Sequence, residues 1–468
     1  MAENTQAKKL FQDALSGRID RREVIKRGAA LGLSAPVAVM LAQASVGAGF
    51  QRAMAAEEGK PSTTFFKWML DLHPTINTLG EETGVNVEEA PTTNFGNERF
   101  VAEALEEKST WDSYGGVTPF LEMIALVDTG TIEPWDAYLP AGLLDDFVPA
   151  TRAEGTYNGG FYVWPLLLDV AVQARNAAII EKAGLDPEVS PATWDEYIAS
   201  AQQVKDSGAA PYGCTFDYRD WRSLIPVTHS ISTEVYSPDG LFLYNSDAAL
   251  EALEILKRMV PLASADVVNT TNVDNNAGLA DEASFSAEQV GYYFKYQNAP
   301  MRTAAVWQDP SKLRIGPLPK TANGVGGTVF WDTGAVLFKY GFNKQAAVDF
   351  MLALSKDVRI WKDSITGNED EGTVPVGQLP VLQSLWTEWE TTAPDYLTAN
   401  PWAKQVFDGL ANASAIAPNI LSIKQFDTAR PEWLKYLSGE ESDPKAALTK
   451  AYDAVRAEYK KQTGKDAQ

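Results

Sequence analysis

The sequence predicts an α/β protein with more than one hydrophobic core, on three observations. Short strand-like runs alternate with amphipathic helical segments beyond residue 60. No repeat or low-complexity tract interrupts them. The chain has 468 residues, 45% of them apolar, more than the roughly 250–300 residues over which one core keeps growing.

The elements follow in order. Thr63–Leu70 reads as a strand, Pro74 opens a helix that ends at Gly84, and Val85–Glu88 reads as a second strand. Thr193-Trp194-Asp195-Glu196 is a capping box, and Trp194, Tyr197, Ile198, Ala201 and Val204 share the face behind it. Ser246 is placed to cap a helix with Leu250, Leu253, Leu256 and Val260 inward. Asn343 is placed to cap another, with Ala347, Phe350, Met351 and Leu354 at helical spacing. Asp443-Pro444 starts the last, with proline at N1 where its missing N–H costs nothing. Between the Ser246 and Asn343 helices, Ser264–Glu282 is polar. Asn272, Asp274 and Asn276 alternate there as in a calcium loop, but Ala277 and Ala283 replace the glycine and bidentate glutamate. An ordinary surface loop is expected.

Composition removes several chemistries. The net charge of −22 opposes binding to a phosphate backbone. A single cysteine, Cys214, excludes an internal disulfide and any cysteine-rich metal site, and only His73 and His229 are available for histidine chemistry. No GxSxG, HExxH, GxxxxGK or strand-linked GxGxxG motif occurs. Gly324-Val325-Gly326-Gly327 lacks the lysine or serine of a phosphate loop. Acid pairs such as Asp145-Asp146 and Glu388/Glu390 are expected by chance among 62 acids. No cofactor and no catalytic residue are predicted.

The amino terminus differs from the rest. Residues 1–55 carry eight basic and four acidic residues, a net +4 that leaves −26 beyond. Arg21-Arg22 precede a weakly apolar run, Gly28–Phe50, which ends at the small-x-small pattern Ala53-Met54-Ala55-Ala56. Residues 1–56 resemble a cleaved twin-arginine export signal, with an uncleaved anchor as the alternative. The expected location is periplasmic, or the extracellular face of the cytoplasmic membrane.

Aromatic residues beside short polar ones are the positive signal. The chain has 13 tryptophans. Several lie in Trp111-Asp112-Ser113-Tyr114-Gly115-Gly116, Trp164-Pro165, Asp217-Tyr218-Arg219-Asp220-Trp221 and Phe330-Trp331-Asp332. A ring covers the C–H face of a sugar while Asp, Asn or Arg takes its hydroxyls. Each tryptophan taken alone also reads as half-buried core.

Tyr157-Asn158-Gly159-Gly160-Phe161-Tyr162-Val163-Trp164-Pro165, Gln173-Ala174-Arg175-Asn176, Glu181–Leu185 and Pro191–Tyr197 resemble the central signature of family 1 extracellular solute-binding proteins. These are the carbohydrate-binding components of bacterial ABC importers. Tyr244-Asn245-Ser246, Ile315–Pro319 and Gly326-Gly327 leading to Lys344–Ala347 continue the resemblance along the whole mature chain.

The resemblance implies a two-lobe periplasmic-binding-protein fold, type II-like, with several chain crossings and a ligand cleft between lobes. It places lobe one at 61–168 and 328–370 and lobe two at 169–327 and 371–468. By matching position, Asp71 follows the first strand, and Ser113, Tyr114 and Gly115 follow a strand ending at Asp112. Asp169 follows the Pro165 crossing, next to Trp164. Asp217 and Trp221 lie in a loop that reaches the cleft. Phe294, Lys295 and Tyr296 occupy the place of a Gly-x-Trp element whose glycine is absent here. Gly327 precedes Trp331 and Asp332. The implied function is capture of a sugar or polyol and its delivery to importer permease subunits by hinge closure, by a monomer with no catalytic step and no nucleic-acid partner. Two alternatives stay open on the residues: a polyamine ligand on the same fold, and a secreted glycoside hydrolase or lyase.

Overall fold

A computed structural model describes residues 57–92, 96–268, 280–367, 374–392, 401–410 and 413–468. The expected export segment and Asn272, Asp274 and Asn276 lie outside these residues.

The strands are β1 (Ser62–Phe65), β2 (Asn86–Glu89), β3 (Ser113–Val117), β4 (Ile132–Glu133), β5 (Thr156–Tyr157), β6 (Gly160–Phe161), β7 (Val163–Asn176), β8 (Tyr212–Phe216), β9 (Val290–Tyr296), β10 (Leu313–Pro317), β11 (Thr328–Phe338) and β12 (Ala413–Ala415). Ten of them form one sheet in the order β2-β1-β3-β11-β7-β9-β8, with β10 beside β7 and β4 and β12 beside β11. At one end β1 pairs parallel with β2 and β3. At the other, β8 pairs parallel with β9. The central pairings, β3 with β11, β11 with β7 and β7 with β9, are antiparallel.

The two long strands join the halves. All 14 residues of β7 are buried, which is why its sequence is a nearly continuous apolar run rather than an alternating one. At about 3.3 Å per residue it extends for roughly 45 Å. Up to Val170 it pairs with β11, and from Ala171 with β9. Pro165 is accommodated because the β7–β11 register shifts between Thr333 and Gly334, opposite that proline. A Cβ at Gly334 would lie 2.6 Å from the Trp164 carbonyl oxygen, so this close approach requires glycine. A third connection runs beside them: Leu379 and Leu168 exchange backbone hydrogen bonds of 3.0 and 3.3 Å. Gln297 donates to the carbonyls of Leu168 and Gly377 and accepts from the Val170 N–H.

Three cores flank the sheet, the second of them running into both halves, from Phe65 to Tyr293 and Trp307. One surrounds Trp194, Tyr197, Phe294, Leu253 and Trp433. A second holds Phe65, Trp135, Trp164, Phe350 and Trp389, and a third Phe100, Trp111, Tyr114 and Phe338. Local signals are realised where they act locally. Thr193 and Glu196 form the capping box of helix Trp194–Asp206. Ser246 caps Asp247–Met259, and Asp443 caps Pro444–Thr463. Gly84 ends helix Thr75–Thr83 in the left-handed conformation.

Three local expectations change. The apolar run after Phe65 is not strand: it turns at Phe66 into helix Lys67–Leu72, where Lys67 and Asp71 gain an i,i+4 ion pair of 2.8 Å. A strand begins at Ser113 rather than ending at Asp112. Asp112 anchors that start, its carboxylate accepting from the N–H groups of Ser62, Phe342 and Asn343. Asn343 stands at an N-cap position without capping, because its Oδ1 accepts from the Gly59 N–H instead, while its amide donates to Asp112 and to the Glu57 carbonyl.

Candidate functional site

Where β7 leaves β11 for β9, the two halves enclose a cavity of about 560 Å³. One wall comes from the β1–β3 end: Phe66, Trp68, Leu72, Gly116 and Thr118. The opposite wall comes from the β8–β9 end: Arg222, Glu282, Lys295, Tyr296, Asn298 and Arg302. Asp169 of β7, Trp331 and Thr333 of β11, and Val376 and Gln378 complete it at the connections.

Backbone geometry shapes the first wall. Gly116 has φ of +132°, and a Cβ there would lie 2.6 Å from the Phe66 Cβ and 3.0 Å from the Tyr114 hydroxyl. Only glycine keeps that wall open. Trp331 bridges the walls. Its Nε1–H donates to Thr118 Oγ1 at 3.2 Å. Its ring meets Phe120 and Tyr296 edge-on at 5.4 and 5.8 Å. The Arg222 guanidinium lies 5.7 Å from its centre, within cation–π range.

The second wall is an ion-pair network. Lys295 is 1% exposed, and its ammonium contacts Asp217, Asp281 and Glu282 at 2.9, 2.7 and 2.8 Å. Arg219 and Arg222 reach Asp217 at 2.7 and 3.2 Å, and Arg302 reaches Glu282 at 2.6 Å. The Tyr293 hydroxyl donates to Asp281. Burial pushes Asp217 and Glu282 up. For Asp217 this is outweighed by Arg219, Lys295 and Arg222, which hold it well below the carboxylate range. For Glu282, Lys295 and Arg302 outweigh it and bring the group to about 2. Arg222 is pulled down by burial and by Arg219, and its Nε has no hydrogen-bond partner.

Asp169 differs from these acids. Burial raises it to about 6, against hydrogen bonding from Gln378 and Asn298 and the charges of Arg302 and Arg222. Gln378 Nε2 donates to Oδ2 at 3.2 Å. Oδ1 has no partner at hydrogen-bonding geometry.

The structure distributes the sequence-named residues as follows. Asp169, Lys295, Tyr296 and Trp331 line the cavity, and Asp169 and Trp331 are register partners across β7 and β11. Asp217 stands behind the wall as a partner of Lys295. Trp221 is buried, its carbonyl accepting from the Tyr296 hydroxyl at 2.8 Å. Tyr114 is buried directly behind Gly116. Ser113 bonds Thr63 inside the sheet, and a Cβ at Gly115 would strike the Phe65 ring. Trp164 is core, edge-on to Trp135 and Phe147, with its N–H on Ser355. Phe294 is core against Trp194 and Phe216. Asp332 is fully buried, Asp71 is exposed on its helix, and Gly327 is buried before β11. None of these last seven (Ser113, Gly115, Trp164, Phe294, Asp332, Asp71, Gly327) lines the cavity.

Sequence reasoning did not single out Phe66, Trp68, Thr118, Glu282, Asn298 or Gln378 as site residues. Arg222 had a signal, since it directly follows the named Asp217–Trp221 cluster. Gln378, in irregular chain, had none. Among the described residues, no cluster of His, Cys, Asp and Glu is arranged to hold a metal ion, and no helix is long and apolar enough to cross a membrane.

The family profile described as bacterial extracellular solute-binding protein matches residues 75–359. The chain belongs to the bacterial extracellular solute-binding proteins. Membership implies a periplasmic or extracellular location. A candidate binding protein of Brucella abortus (strain 2308) is 24% identical over 361 residues, 74% of this chain and 81% of that protein. The cyclic α-maltosyl-1,6-maltose binding protein of Arthrobacter globiformis superposes with a TM-score of 0.67 at 21% identity, covering 86% of this solute-binding protein and 100% of the other. The GacH receptor of Streptomyces glaucescens, solved unliganded and with acarbose, gives 0.65 at 17% identity, covering 86% and 99%. Maltose-bound T. maritima MalE3 gives 0.65 at 14%, covering 85% and 99%. The fold is thus the two-lobe periplasmic-binding-protein fold, and the cavity stands at the junction of its halves.

Proposed function

We propose that this solute-binding protein captures a sugar or polyol outside the cytoplasm and delivers it, as a monomer, to the permease subunits of an ABC importer. One observation carries the reading: aromatic rings and charged groups already neutralised by one another meet in a junction cavity. Trp331, Phe66 and Trp68 offer ring surface. Asp169, Arg222, Arg302 and Asn298 offer acceptors and donors. Because the charges of Asp217, Asp281 and Glu282 are balanced by Lys295 and its arginine neighbours, the wall presents hydrogen bonds rather than a net field. Such a wall suits neutral hydroxyls. With Asp217, Asp281 and Glu282 already paired, that wall offers no free carboxylate to clamp the ammonium of a polyamine.

Binding proceeds by closure of lobe one (61–168 and 328–370) on lobe two (169–327 and 371–468) about β7, β11 and the Gly377–Leu379 connection, with Leu379–Trp389 of the expected lobe two packed instead in the core of Phe65, Trp135 and Trp164. A solute touching both walls favours the closed form. No covalent step is involved. Residues 1–56 act as a twin-arginine signal. The similar proteins solved with maltose or acarbose, or named for binding a cyclic maltosyl sugar, support a carbohydrate ligand. Calorimetric titration of the purified chain with a panel of mono-, di- and oligosaccharides, spermidine as control, tests the reading. Saturable heat with a sugar and none with spermidine is expected. Silence across the whole sugar panel would overturn it.

A further inference from the structure

Behind the cavity wall, His73 ends helix Lys67–Leu72 and is fully buried. Its Nε2 lies 2.9 Å from Gln378 Oε1, and Gln378 Nε2 donates to Asp169 Oδ2. A carboxylate and an amide oxygen can only accept. With Asp169 ionised, the proton order is therefore fixed: the Gln378 amide faces Asp169 and its oxygen faces a protonated His73 Nε2. The imidazole stays neutral, because burial pulls it down to about 4. The reverse order would place the proton on Nδ1, which is buried without a partner. A buried donor with no acceptor is the rarer and costlier fault. His73 thus selects one of the two amide orientations of Gln378.

The rest of the chain holds this relay rigid. The Gln378 N–H donates to Ser364 Oγ at 2.8 Å, and that hydroxyl also lies 3.2 Å from the Gln378 carbonyl. The small cavity beside His73 is lined by uncharged groups, among them Met69, Leu166 and Trp361. Around Asp169, the charged or titratable groups are Arg222, Arg302, Asp332 and Tyr296, with Glu154 behind Asp332.

We propose that His73 is a positioning residue of the solute site: through Gln378 it holds Asp169 as an acceptor-only carboxylate at the cavity wall. The assignment rests on the solute reading above, but its test does not require a sugar. In the full chain without solute, ¹⁵N spectra report the His73 tautomer and ¹³C carboxyl spectra the titration of Asp169. The expected results are an Nε2–H ring and an Asp169 midpoint near 6. In His73→Leu that midpoint should rise by about half a unit or more, since the donor to the charged form is no longer fixed. His73→Gln, which keeps a neutral donor, should restore most of it. Gln378→Leu, checked for folding by circular dichroism, should raise it at least as far, and the wild-type ring tautomer decides the matter if His73→Leu does not fold. An Nδ1–H ring in the wild type, or an Asp169 midpoint unmoved in the folded variants, would overturn the proposal. A parallel maltose titration speaks only to the solute reading, so the two failures are distinguishable.

Discussion

Buried carboxyls at the two sides of the cavity meet opposite fates. On the β8–β9 side, Asp217 and Glu282 have cations in contact and are held below the ordinary range. On the β1–β3 side and along the shared strands, Glu122, Glu154, Asp169 and Asp332 have no ion pair of that kind, and burial drives them up. Glu122 reaches about 7, although the Thr118 N–H and the Asn97 amide donate to it at 2.7 and 2.8 Å. Burial and the nearby Asp332 raise Glu154, and burial and Asp169 raise Asp332 against hydrogen bonding from the Leu166 backbone, so each favours its proton. Hydrogen bonds alone do not repay the desolvation of a carboxylate here, and neither does a single cation, since burial still raises Asp220 against Arg430 at 2.9 Å; the two or three contacting cations of Glu282 and Asp217 do.

The most severe way to break that contrast is Lys295→Met. Three acids would then share a buried wall without their common cation. Loss of one partner from a buried network costs about 3–5 kcal/mol, which urea unfolding should register as a large fall in midpoint. A change below about 1 kcal/mol would show that Arg219, Arg222 and Arg302 suffice.

The second test is pH, where the two sides carry opposite signs. Glu122 binds its proton more tightly folded than unfolded, so its contribution is complete below 4.5 and is lost as pH rises through about 7. That shift corresponds to about 3 kcal/mol. Glu282 contributes above 4.5, and its share is lost as pH falls toward about 2. Stability should therefore peak near pH 5 and decline toward pH 8. Glu122→Gln should flatten the decline by most of the Glu122 share, read from unfolding curves at pH 5 and 8. An unchanged slope would place the protonated acid elsewhere.

A third test concerns the ring joining the walls. Trp331→Ala should weaken sugar binding by about 1–3 kcal/mol with little loss of fold, because the ring is only partly buried and its single hydrogen bond is to Thr118. Calorimetry paired with a thermal melt separates these effects; collapse of the melt would make Trp331 a core residue.

Legibility in the sequence followed the range of the interactions. Thr193, Ser246 and Asp443 announce their helices because a cap is a contact within three residues. The pairing of Asp169 with Trp331 joins residues far apart in sequence, and no local pattern specifies it. Trp164 and Trp331 look alike as tryptophans beside short polar or turn-forming neighbours. One is sealed between Trp135 and Phe147 and the other lines the cavity, a difference set by where β7 and β11 meet. The run after Phe65 misled because apolar residues one face apart on a short helix imitate a strand. Glu282 and Gln378 acquire their roles only through Lys295, Arg302, His73 and Asp169, partners supplied by other elements.

The smallest expected effect sharpens the contrast from outside the cavity. Arg258 and Asp195 form an ion pair of 2.7 Å, as short as the Lys295–Asp281 contact, yet their side chains are 50% and 80% exposed. Distance alone would rank the two pairs together. Water already solvates both groups of the surface pair, so little desolvation is relieved by their meeting, and ordering two long side chains offsets part of the attraction. Arg258→Ala should thus lower stability by less than about 1 kcal/mol, and the loss should shrink further in about 0.5 M salt, whose screening length is only a few ångströms. Unfolding measured at low and high salt checks both statements. A loss comparable to that of Lys295→Met would show that pairing distance, rather than burial, sets what a carboxylate gains from a cation in this protein.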